Sequence, residues 1–407
     1  MSRLAERLPR EDSFRSELRS PTVAARVGLW LGVCFTVCFL TGLVSHYAQN
    51  VDHPVPFPAS PSWGYRVTQG LHVITGTAAV PLLLVKLWTV FPRLFARPGR
   101  GVRALAVTAL ERASILALVG SAVFLLVTGL MNSAQWYPWA FSFRSTHYAV
   151  AWVAIGSLVV HVAVKLPVIR AALGADVDDT TLDRPHTDMP RTDRPGTDGP
   201  GTDRPTERGG GLSRRGLLRT TWAAAGLAVL ATAGSTVPLL RTVSVLAVRT
   251  GDGPQGLPVN RSAAAAQVTT DDVGDSYRLT VAHGSRTVEL GREDLLAMTQ
   301  HTVDLPIACV EGWSADATWT GVRVADLLAL VEAPADSDLR VTSLQRAGAF
   351  GTTALQASFV EDDRTLLALQ VNGETLSLDH GFPCRIIAPN RPGVLQTKWV
   401  TSLEVLA

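Results

Sequence analysis

The pattern of apolar and polar positions divides the chain into long apolar runs near the N-terminus and shorter, alternating runs near the C-terminus. The long runs cover residues 27–47, 68–91, 112–133 and 146–168. Each is long enough to cross a bilayer as a helix, which takes about 20 residues. We therefore predict four transmembrane helices that form an all-α, four-helix membrane bundle over residues 27–170.

A milder Ala- and Gly-rich apolar run follows and predicts a fifth transmembrane helix within residues 213–245. The segment before it, residues 171–212, is acidic and proline-rich, and it contains the repeats TDMPR, TDRPG, TDGPG and TDRPT. Such a segment has little apolar surface to bury, so we predict a disordered linker. Residues 1–26 carry six arginines among polar residues and are expected to form a tail.

Residues 246–407 have the pattern of a separate globular domain, which we predict to be α+β and mostly β. Asn372-Gly373 lies between two apolar runs and predicts a hairpin turn. A helix is expected to begin at Gly321. The predicted strands ahead of that helix are Ser276–Val281, 287–290 and the run that ends before Cys309.

Composition and charge agree with a multi-pass protein of the plasma membrane. Apolar residues make up 47% of the chain, charged residues 18%, and the mean hydropathy is +0.20. Arginines are concentrated in residues 1–26 and 92–112, whereas 48–67 and 134–145 hold one each. The positive-inside rule then predicts a cytoplasmic N-terminus and an extracytoplasmic C-terminal domain. We expect the lipid bilayer as a partner and no nucleic acid.

Four histidines lie in the predicted spans or at their ends. His46 ends the first span, His72 opens the second, and His147 and His161 lie on the fourth. On the predicted topology the first three lie near the outer face, and His161 lies about 21 Å deeper than His147. Ionisable residues in spans are costly and usually functional. A wet membrane interface is the alternative explanation for His46 and His147.

An outer pair of imidazoles, His72 and His147, is what a b-type haem between two helices requires. The arrangement resembles the cytochrome b subunits of formate dehydrogenase-like and b561-like enzymes, in which histidines so spaced on one helix serve two haems. Here Lys86, not a histidine, lies at the level of His161. We expect one outer haem b, with His46 as a reserve ligand, and leave a second haem open. For Lys86 and His161 the alternative roles are contact with a haem propionate, contact with a quinone headgroup, or a place in a proton path.

The segment DLPIACVEGWSADATWTG, Asp304 to Gly321, contains Cys309, one of four cysteines in the chain. A lone cysteine is commonly a small buried apolar residue. This segment, however, resembles the molybdenum-ligand loop of the sulfite oxidase family, and CVEGWS is most similar to the methionine sulfoxide reductase branch. The resemblance implies that Cys309 is the catalytic thiolate ligand of molybdenum, a soft ligand for a redox-active metal.

The segment HGFPCRIIAPNRPGVLQTKWV, His380 to Val400, resembles the family's pterin-binding segment. The resemblance implies that His380, Arg385 and Lys398 hold the pterin and its phosphate, since a dianion favours cationic donors. Asn260 lies in a weaker match to a pterin-contacting loop. The two segments in family order predict a sulfite oxidase-type domain that binds Mo-molybdopterin. Cys384 is expected in the core.

Arg214 and Arg215 precede the fifth span in SRRGLLRT, which resembles a twin-arginine translocation signal. A domain that receives its cofactor in the cytoplasm would be exported already folded, with the twin-arginine translocation machinery as a partner. The ordinary alternative is a pair of topological anchors. No small-x-small cleavage motif follows, so we expect the span to remain as an anchor.

These features predict a membrane-bound oxidoreductase that exchanges electrons between the quinone pool, a haem b and a molybdenum centre. The reaction would be oxygen-atom transfer on a small-molecule substrate. The alternative is a non-catalytic electron-relay or sensing protein that retains the fold. In the sulfite oxidase branch arginines follow the cysteine and bind the oxyanion, whereas Glu311, Gly312 and Trp313 follow here. This difference favours a sulfoxide-like or other neutral substrate over sulfite.

Overall fold

The structure is a computed structural model that describes residues 14, 16–50, 57–95, 101–183, 212–247 and 253–406. Most of the predicted N-terminal tail and the repeats of the predicted linker lie outside the described residues. The five predicted spans and most of the predicted C-terminal domain fall on residues that the structure describes.

The described part of the chain contains five helices that are long and apolar enough to cross a membrane. Residues 27–47, 68–91, 112–133 and 146–168 each coincide with one of them, apart from the last residue of the second run. An N-terminal region of long apolar helices is therefore confirmed, and their packing as a four-helix bundle remains a prediction. The five helices are α1 (Pro21–Gln49), α2 (Gly64–Val90), α3 (Val102–Ser133), α4 (Phe143–Gly174) and α5 (Arg214–Thr232).

The fifth helix lies within the predicted range and ends before the apolar run does. Helix α5 ends at Thr232, and the chain continues in 3-10 turns at Ala233–Ser235 and Pro238–Leu240. Pro238 has no N–H to donate to a preceding helical turn, and its ring excludes regular helix before it. The apolar run therefore outlasts the helix, since apolarity alone does not specify where a helix stops.

The chain is organised as two compact units. The first comprises Met1–Phe35, Ala78–Val123 and Trp152–Ala228, and the second comprises Thr36–Thr77, Phe124–Ala151 and Val229–Ala407. The second unit thus combines parts of α1 to α4 with the whole C-terminal domain. His46, His72, His147 and the candidate residues of the C-terminal domain belong to the second unit, whereas Lys86 and His161 belong to the first.

The C-terminal domain is mostly β, as predicted, with two five-stranded sheets. One sheet has the order β2-β1-β10-β5-β6, in which only the β1–β10 pair is parallel. The other has the order β3-β4-β7-β8, and β9 also pairs with β7. The strands are β1 (Leu279–His283), β2 (Arg286–Leu290), β3 (His301–Ala308), β4 (Ser314–Arg323), β5 (Leu339–Ser343), β6 (Thr352–Leu355), β7 (Leu366–Val371), β8 (Glu374–Thr375), β9 (Arg385–Ile387) and β10 (Val400–Val405). The short helices are α6 (Ala263–Ala266), α7 (Arg292–Ala297), α8 (Val324–Ala329) and α9 (Ala357–Val360).

Strand β7 lies between two apolar cores. Leu367 and Leu369 pack into one core, and Leu366 and Ala368 pack into the other, which also contains Cys309. A strand that is buried on both faces is apolar at successive positions and does not alternate with polar residues. The sequence of β7, LLALQV, is apolar at every position but one. The loop that carries Cys309 is therefore anchored on the second core.

Two local predictions had different outcomes. The hairpin turn is confirmed, because Asn372 (φ 51°) and Gly373 (φ 79°) join β7 to β8 in the left-handed region. The helix predicted from Gly321 is wrong at its start, since Gly321 to Arg323 complete β4 and α8 begins at Val324. A Cβ at Gly321 would lie 2.1 Å from the carbonyl oxygen of Leu367, so this glycine serves close strand packing.

Candidate active site

Cys309 lies in the five-residue loop between β3 and β4, directly after the last paired residue, Ala308. Its backbone N–H donates to the carbonyl of Trp313 at 2.9 Å, and the N–H of Gly312 donates to the carbonyl of Cys309 at 3.0 Å. Gly312 has a φ of +90°, which glycine adopts without strain. These bonds close a tight turn that fixes the position of the thiol.

The thiol of Cys309 is fully buried. Burial raises its pKa well above the ordinary value, and the nearby carboxylate of Glu311 raises it further. A thiol in this setting stays protonated unless a cation stabilises the thiolate, which a coordinated metal ion does. The site therefore fits a cysteine that is a metal ligand.

The carboxylate of Glu311 is held from two sides. Its Oε2 accepts a hydrogen bond from Trp313 Nε1 at 2.8 Å and one from Gln135 Nε2, also at 2.8 Å. Burial raises the pKa of Glu311, although these hydrogen bonds lower it. The carboxylate is therefore a fixed feature beside Cys309, positioned partly by a residue that follows helix α3.

A second contact joins the same region to the cysteine loop. Asn132 Nδ2, in the last turn of α3, donates to the carbonyl of Val310 at 3.1 Å, and Tyr137 Oη donates to Asn132 Oδ1 at 3.0 Å. Sequence analysis missed Asn132, Gln135 and Tyr137. Their separation from Cys309 by more than 170 residues leaves no local signal in the sequence.

Arg385 and Lys398 are adjacent and buried, joined by an isolated antiparallel bridge between their backbones. The guanidinium of Arg385 donates to the carbonyls of His380 at 3.1 Å and Gln396 at 3.2 Å. Its Nε has no partner among the described residues, and burial lowers its pKa to about 10. A buried cation bonded only to neutral carbonyls is stabilised by an incoming anion.

The ammonium of Lys398 has the same kind of surroundings. It donates to the carbonyl of Asp379 at 2.9 Å and to that of Arg261. Burial, followed by the charge of Arg385, lowers its pKa to about 7. Arg261 follows Asn260, so the loop of the weaker sequence match lies beside Lys398.

His380 is a neutral neighbour of these cations. Its Nε2 donates to the carbonyl of Pro254 at 2.8 Å. Burial, with contributions from Arg385 and Lys398, lowers the pKa of His380 to about 4. The structure thus brings His380, Arg385, Lys398 and the Asn260 loop together, and the cluster has the donors that a pterin phosphate requires.

Arg391 is a further buried cation that sequence analysis did not single out. Its Nη2 donates to the carbonyl of Ala354 at 2.6 Å, and its Nη1 has no partner among the described residues. Burial lowers its pKa to about 9. Cys384, by contrast, lies in the core as predicted, where burial raises the pKa of its thiol to about 12.

The rings of His72 and His147 face each other in the second unit, with their centroids 6.3 Å apart and their planes at 58°. Two imidazoles bound on opposite sides of one metal atom through bonds of about 2 Å have ring centres roughly 6 Å apart. The pair therefore has the spacing of two ligands that share a metal. His46 instead stacks on Tyr148, with ring centroids 3.7 Å apart.

His161 and Lys86 lie in the first unit, where the Lys86 ammonium donates to the carbonyl of Ala24 at 2.8 Å. A propionate, a quinone or a proton path remains a prediction for these two residues.

Helix α2 contacts the cysteine loop one residue after His72. A Cβ on Gly312 would lie 2.6 Å from Val73 Cγ2, so the two residues are in direct contact. The hydroxyl of Thr236 donates to the carbonyl of Gly312 from the segment after α5. The histidine pair and the Cys309 loop are therefore neighbouring parts of one compact unit.

Comparisons with known proteins identify the C-terminal domain. Residues 265–407 match the family described as oxidoreductase molybdopterin binding domain. Sulfite oxidase of Arabidopsis thaliana is 35% identical over 115 residues, which cover 24% of this chain and 29% of that protein. The "Putative protein-methionine-sulfoxide reductase subunit YedZ1" of Azospira oryzae is 34% identical over 97 residues, which cover 24% of this chain and 36% of that protein.

One solved structure, the sulfane dehydrogenase SoxCD from Paracoccus pantotrophus, matches with 24% identity and a TM-score of 0.33, over 39% of this chain and 44% of that chain. The matched segments thus span about a third of the length of the curated relatives. Residues 265–407 are similar to a sulfite oxidase-type molybdopterin-binding domain, and the matches to the family model and to the curated relatives support an oxidoreductase that binds Mo-molybdopterin. Cys309, His380, Arg385 and Lys398 lie inside the matched range, and Asn260 lies just before it.

Proposed function

We propose that the chain is a membrane-bound oxidoreductase in which a haem b, held by His72 and His147, exchanges electrons with an extracytoplasmic molybdenum centre on Cys309. The quinone pool would be the partner of the haem, and a small molecule would be the substrate at molybdenum. The contact between Val73 and Gly312 carries the proposal, because it joins the residue after one haem ligand to the loop of the molybdenum ligand.

Two further contacts support a fixed arrangement of these parts. The backbone N–H of Tyr65, in the first turn of α2, donates to Asn390 Oδ1 at 2.5 Å. Arg66 forms a two-bonded ion pair with Asp316 in β4. The start of α2 is therefore bonded both to the proposed pterin-binding segment and to β4. These bonds would keep His72 at a constant distance from Cys309, as electron exchange requires.

Different residues would have different roles at the molybdenum site. Cys309 would supply the thiolate ligand, while Arg385, Lys398, His380 and Asn260 would hold the pterin and its phosphate. When bound, the cofactor supplies the redox and oxygen-atom transfer chemistry. The protein contributes a buried, water-poor site in which the cationic donors are already positioned.

The charge beside Cys309 supports a neutral substrate. The carboxyl of Glu311, two residues after Cys309, is fixed by Trp313 and Gln135, whereas in the sulfite oxidase branch oxyanion-binding arginines follow the cysteine. An acidic group next to the metal ligand disfavours an anionic substrate such as sulfite. We therefore propose a sulfoxide-like or other neutral oxygen donor or acceptor.

The proposal is tested by cofactor analysis of the purified protein together with an artificial-donor assay. We expect molybdenum, pterin and one b-type haem per chain, and reduction of a sulfoxide by a reduced viologen dye. The substitutions His72→Ala and His147→Ala should each remove the same low-spin absorption, because either loss leaves the iron with one axial ligand. His161→Ala should have a smaller effect.

Each part of the proposal has its own contradicting result. Loss of the absorption in His46→Ala instead of His72→Ala would move the ligand to α1. Four single histidine variants with the wild-type spectrum would rule out the cytochrome. A protein that contains both cofactors but turns over no oxygen donor or acceptor would favour the relay or sensing role instead.

A further inference from the structure

Two threonines on different helices make the same contact with the two histidines of the pair. Thr41 Oγ1, in α1, lies 3.0 Å from Nδ1 of His72, and Thr128 Oγ1, in α3, lies 3.2 Å from Nδ1 of His147. All four residues belong to the second unit. Helices α1 and α3 thus each supply one hydroxyl to a histidine carried by another helix.

A glycine follows each of these threonines and lies beside the same imidazole. A Cβ on Gly42 would lie 3.4 Å from Cε1 of His72, and a Cβ on Gly129 would lie 3.7 Å from Cε1 of His147. The motif Thr-Gly-Leu therefore occurs twice, at 41–43 and 128–130, with the same relation to a ring. A glycine at that point lets the helix backbone approach the edge of the imidazole closely.

The direction of the hydrogen bonds follows from the helix backbone. Thr41 Oγ1 is 2.7 Å from the carbonyl oxygen of Val37, and Thr128 Oγ1 is 2.7 Å from that of Phe124. A carbonyl oxygen only accepts hydrogen bonds, so each hydroxyl donates its single hydrogen to the backbone carbonyl of its own helix. Each threonine oxygen is then an acceptor toward the imidazole, and Nδ1 carries the hydrogen.

This assignment fixes the other nitrogen of each ring. An imidazole with a hydrogen on Nδ1 has its lone pair on Nε2. No hydrogen-bond partner for Nε2 of either His72 or His147 is found among the described residues, so these lone pairs remain for a ligand outside the chain. Metal-bound histidines commonly donate their second ring N–H to such an acceptor, which fixes the tautomer and raises the basicity of the ligand.

We propose that Thr41 and Thr128 are positioning residues of the haem site, each holding one axial histidine in the Nδ1–H tautomer with Nε2 directed to the iron. This inference rests on the haem of the proposed function. The two threonines act through the histidines and do not contact the metal themselves. Their effect is on ring orientation and on electron donation by Nε2.

Thr75 provides a matched control in the same set of helices. It also precedes a glycine and also bonds back to its own helix, at 2.7 Å from the carbonyl of Leu71 and 3.4 Å from the backbone carbonyl of His72, not from its ring. Its other side-chain neighbour is the sulfur of Cys38 at 3.1 Å, and it is not bonded to an imidazole nitrogen. The substitution Thr75→Val therefore removes a helix hydroxyl without touching the tautomer of either histidine.

The experiment compares Thr41→Val, Thr128→Val and Thr75→Val in the full-length membrane protein. Valine keeps the shape of threonine and removes the acceptor. We expect haem affinity to fall about 10- to 100-fold in the first two variants, as for other residues that support metal ligands. The haem that remains should have a more positive midpoint potential, because weaker donation by Nε2 favours the reduced iron.

Two further measurements separate positioning from general damage. The largest g-value of the ferric haem reports the angle between the imidazole planes, and it should change in Thr41→Val and Thr128→Val but not in Thr75→Val. Thr41→Ser and Thr128→Ser retain the hydroxyl and should restore the potential. Molybdenum content equal to that of the wild type shows that the variants fold.

The outcomes distinguish this inference from the proposed function. If both valine variants keep the wild-type haem affinity, potential and g-values, the positioning role is overturned while the haem site stands. An equal shift in Thr75→Val would also overturn it, because the effect would then belong to any lost helix hydroxyl. Absence of haem from the wild-type protein would overturn both.

Discussion

At the scale of single residues, the site contains buried cations and a buried thiol that can become charged. Cys309, Arg385 and Lys398 are all buried, and the two cations are bonded to backbone carbonyls. Such groups are costly in an empty protein and are stabilised when a metal and an anion are present. The site therefore has a strong energetic preference for its cofactor.

The first prediction concerns Cys309. Cys309→Ser should abolish turnover, because serine offers a harder and more basic oxygen in place of a thiolate. The haem spectrum should be unchanged, and the pterin should be retained, since the residues that hold its phosphate are elsewhere. Activity assays, absorption spectra and pterin analysis of one preparation check this. Cys384→Ser, in the core, is the control for a general thiol effect, and full turnover by Cys309→Ser would exclude the ligand role.

The lowered pKa of Lys398 predicts that the stability of the cofactor-free protein depends on pH. Burial lowers its folded-state pKa to about 7, whereas an unfolded lysine titrates near pH 10.4. Between these values the unfolded chain binds more protons, so stability should rise as the pH rises from about 7 toward 10. Thermal unfolding across this range measures the slope. Lys398→Met should reduce it, and an equal slope in that variant would contradict the assignment.

At this scale the sequence was informative where chemistry is concentrated in a short segment, or where an ionisable residue interrupts an apolar span. Cys309, Arg385 and Lys398 were found because their segments resemble a known family. Gln135 and Thr41 could not be found, because their roles depend on contacts with residues far along the chain. A threonine inside an apolar helix has no sequence feature that indicates an imidazole beside it.

The cysteine turn is the element that connects the two candidate centres. Gly312 combines a φ of +90° with direct contact to Val73. Gly312→Ala should therefore destabilise the protein by the cost of a strained backbone, about 1–3 kcal/mol, and by an added clash with α2. Gly284→Ala is the matched control, since Gly284 has a φ of +59° and nothing within 4 Å of a Cβ.

Thermal unfolding and the rate of haem oxidation by an added substrate measure the two effects of this substitution. Both glycine variants should lose stability, and only Gly312→Ala should slow haem oxidation, because it displaces the turn from α2. Equal behaviour of the two variants would show that the Val73 contact does not matter.

The start of α5 gives the prediction for export. Arg214 is buried, forms an ion pair with Asp183 and donates to the carbonyls of Glu17 at 2.8 Å and Asp179 at 3.0 Å. Arg215 forms exposed ion pairs with Asp176 and Asp178. Replacing both arginines with lysine should leave the C-terminal domain in the cytoplasm while α1 to α4 insert. Protease accessibility on spheroplasts measures this.

Two single variants separate a signal from a structural role. Arg214→Lys breaks the buried contacts, since lysine cannot reproduce the planar donor set. Arg215→Lys leaves them in place, and it should still impair export if the pair is read as a signal. Unchanged external exposure of residues after 250 in the double variant would mean that the pair is only an anchor.

Element types followed from periodicity, but several boundaries did not. The long apolar helices and the strands around Cys309 were predicted, because burial imposes their patterns. The end of α5 at Thr232 and the start of α8 at Val324 were missed. In both places tertiary contacts or a proline decide the boundary, while the local composition is neutral.

The whole molecule combines a helical region and a molybdopterin-binding domain, and the second unit contains parts of both. The sequence predicted the two regions, because their compositions differ sharply. It did not predict that the histidine pair and the cysteine loop are neighbours. That arrangement depends on α2, whose first turn is bonded to the C-terminal domain and which carries His72 two turns later.

Electron exchange between the two centres within one chain is tested most directly by flash reduction of the haem in the purified protein. We expect the reduced-haem absorption to decay in a phase whose rate is independent of protein concentration, and Cys309→Ser, with its haem intact, to lack this phase. A decay that scales with protein concentration, or one that persists unchanged in Cys309→Ser, would exclude exchange between the two centres of one chain.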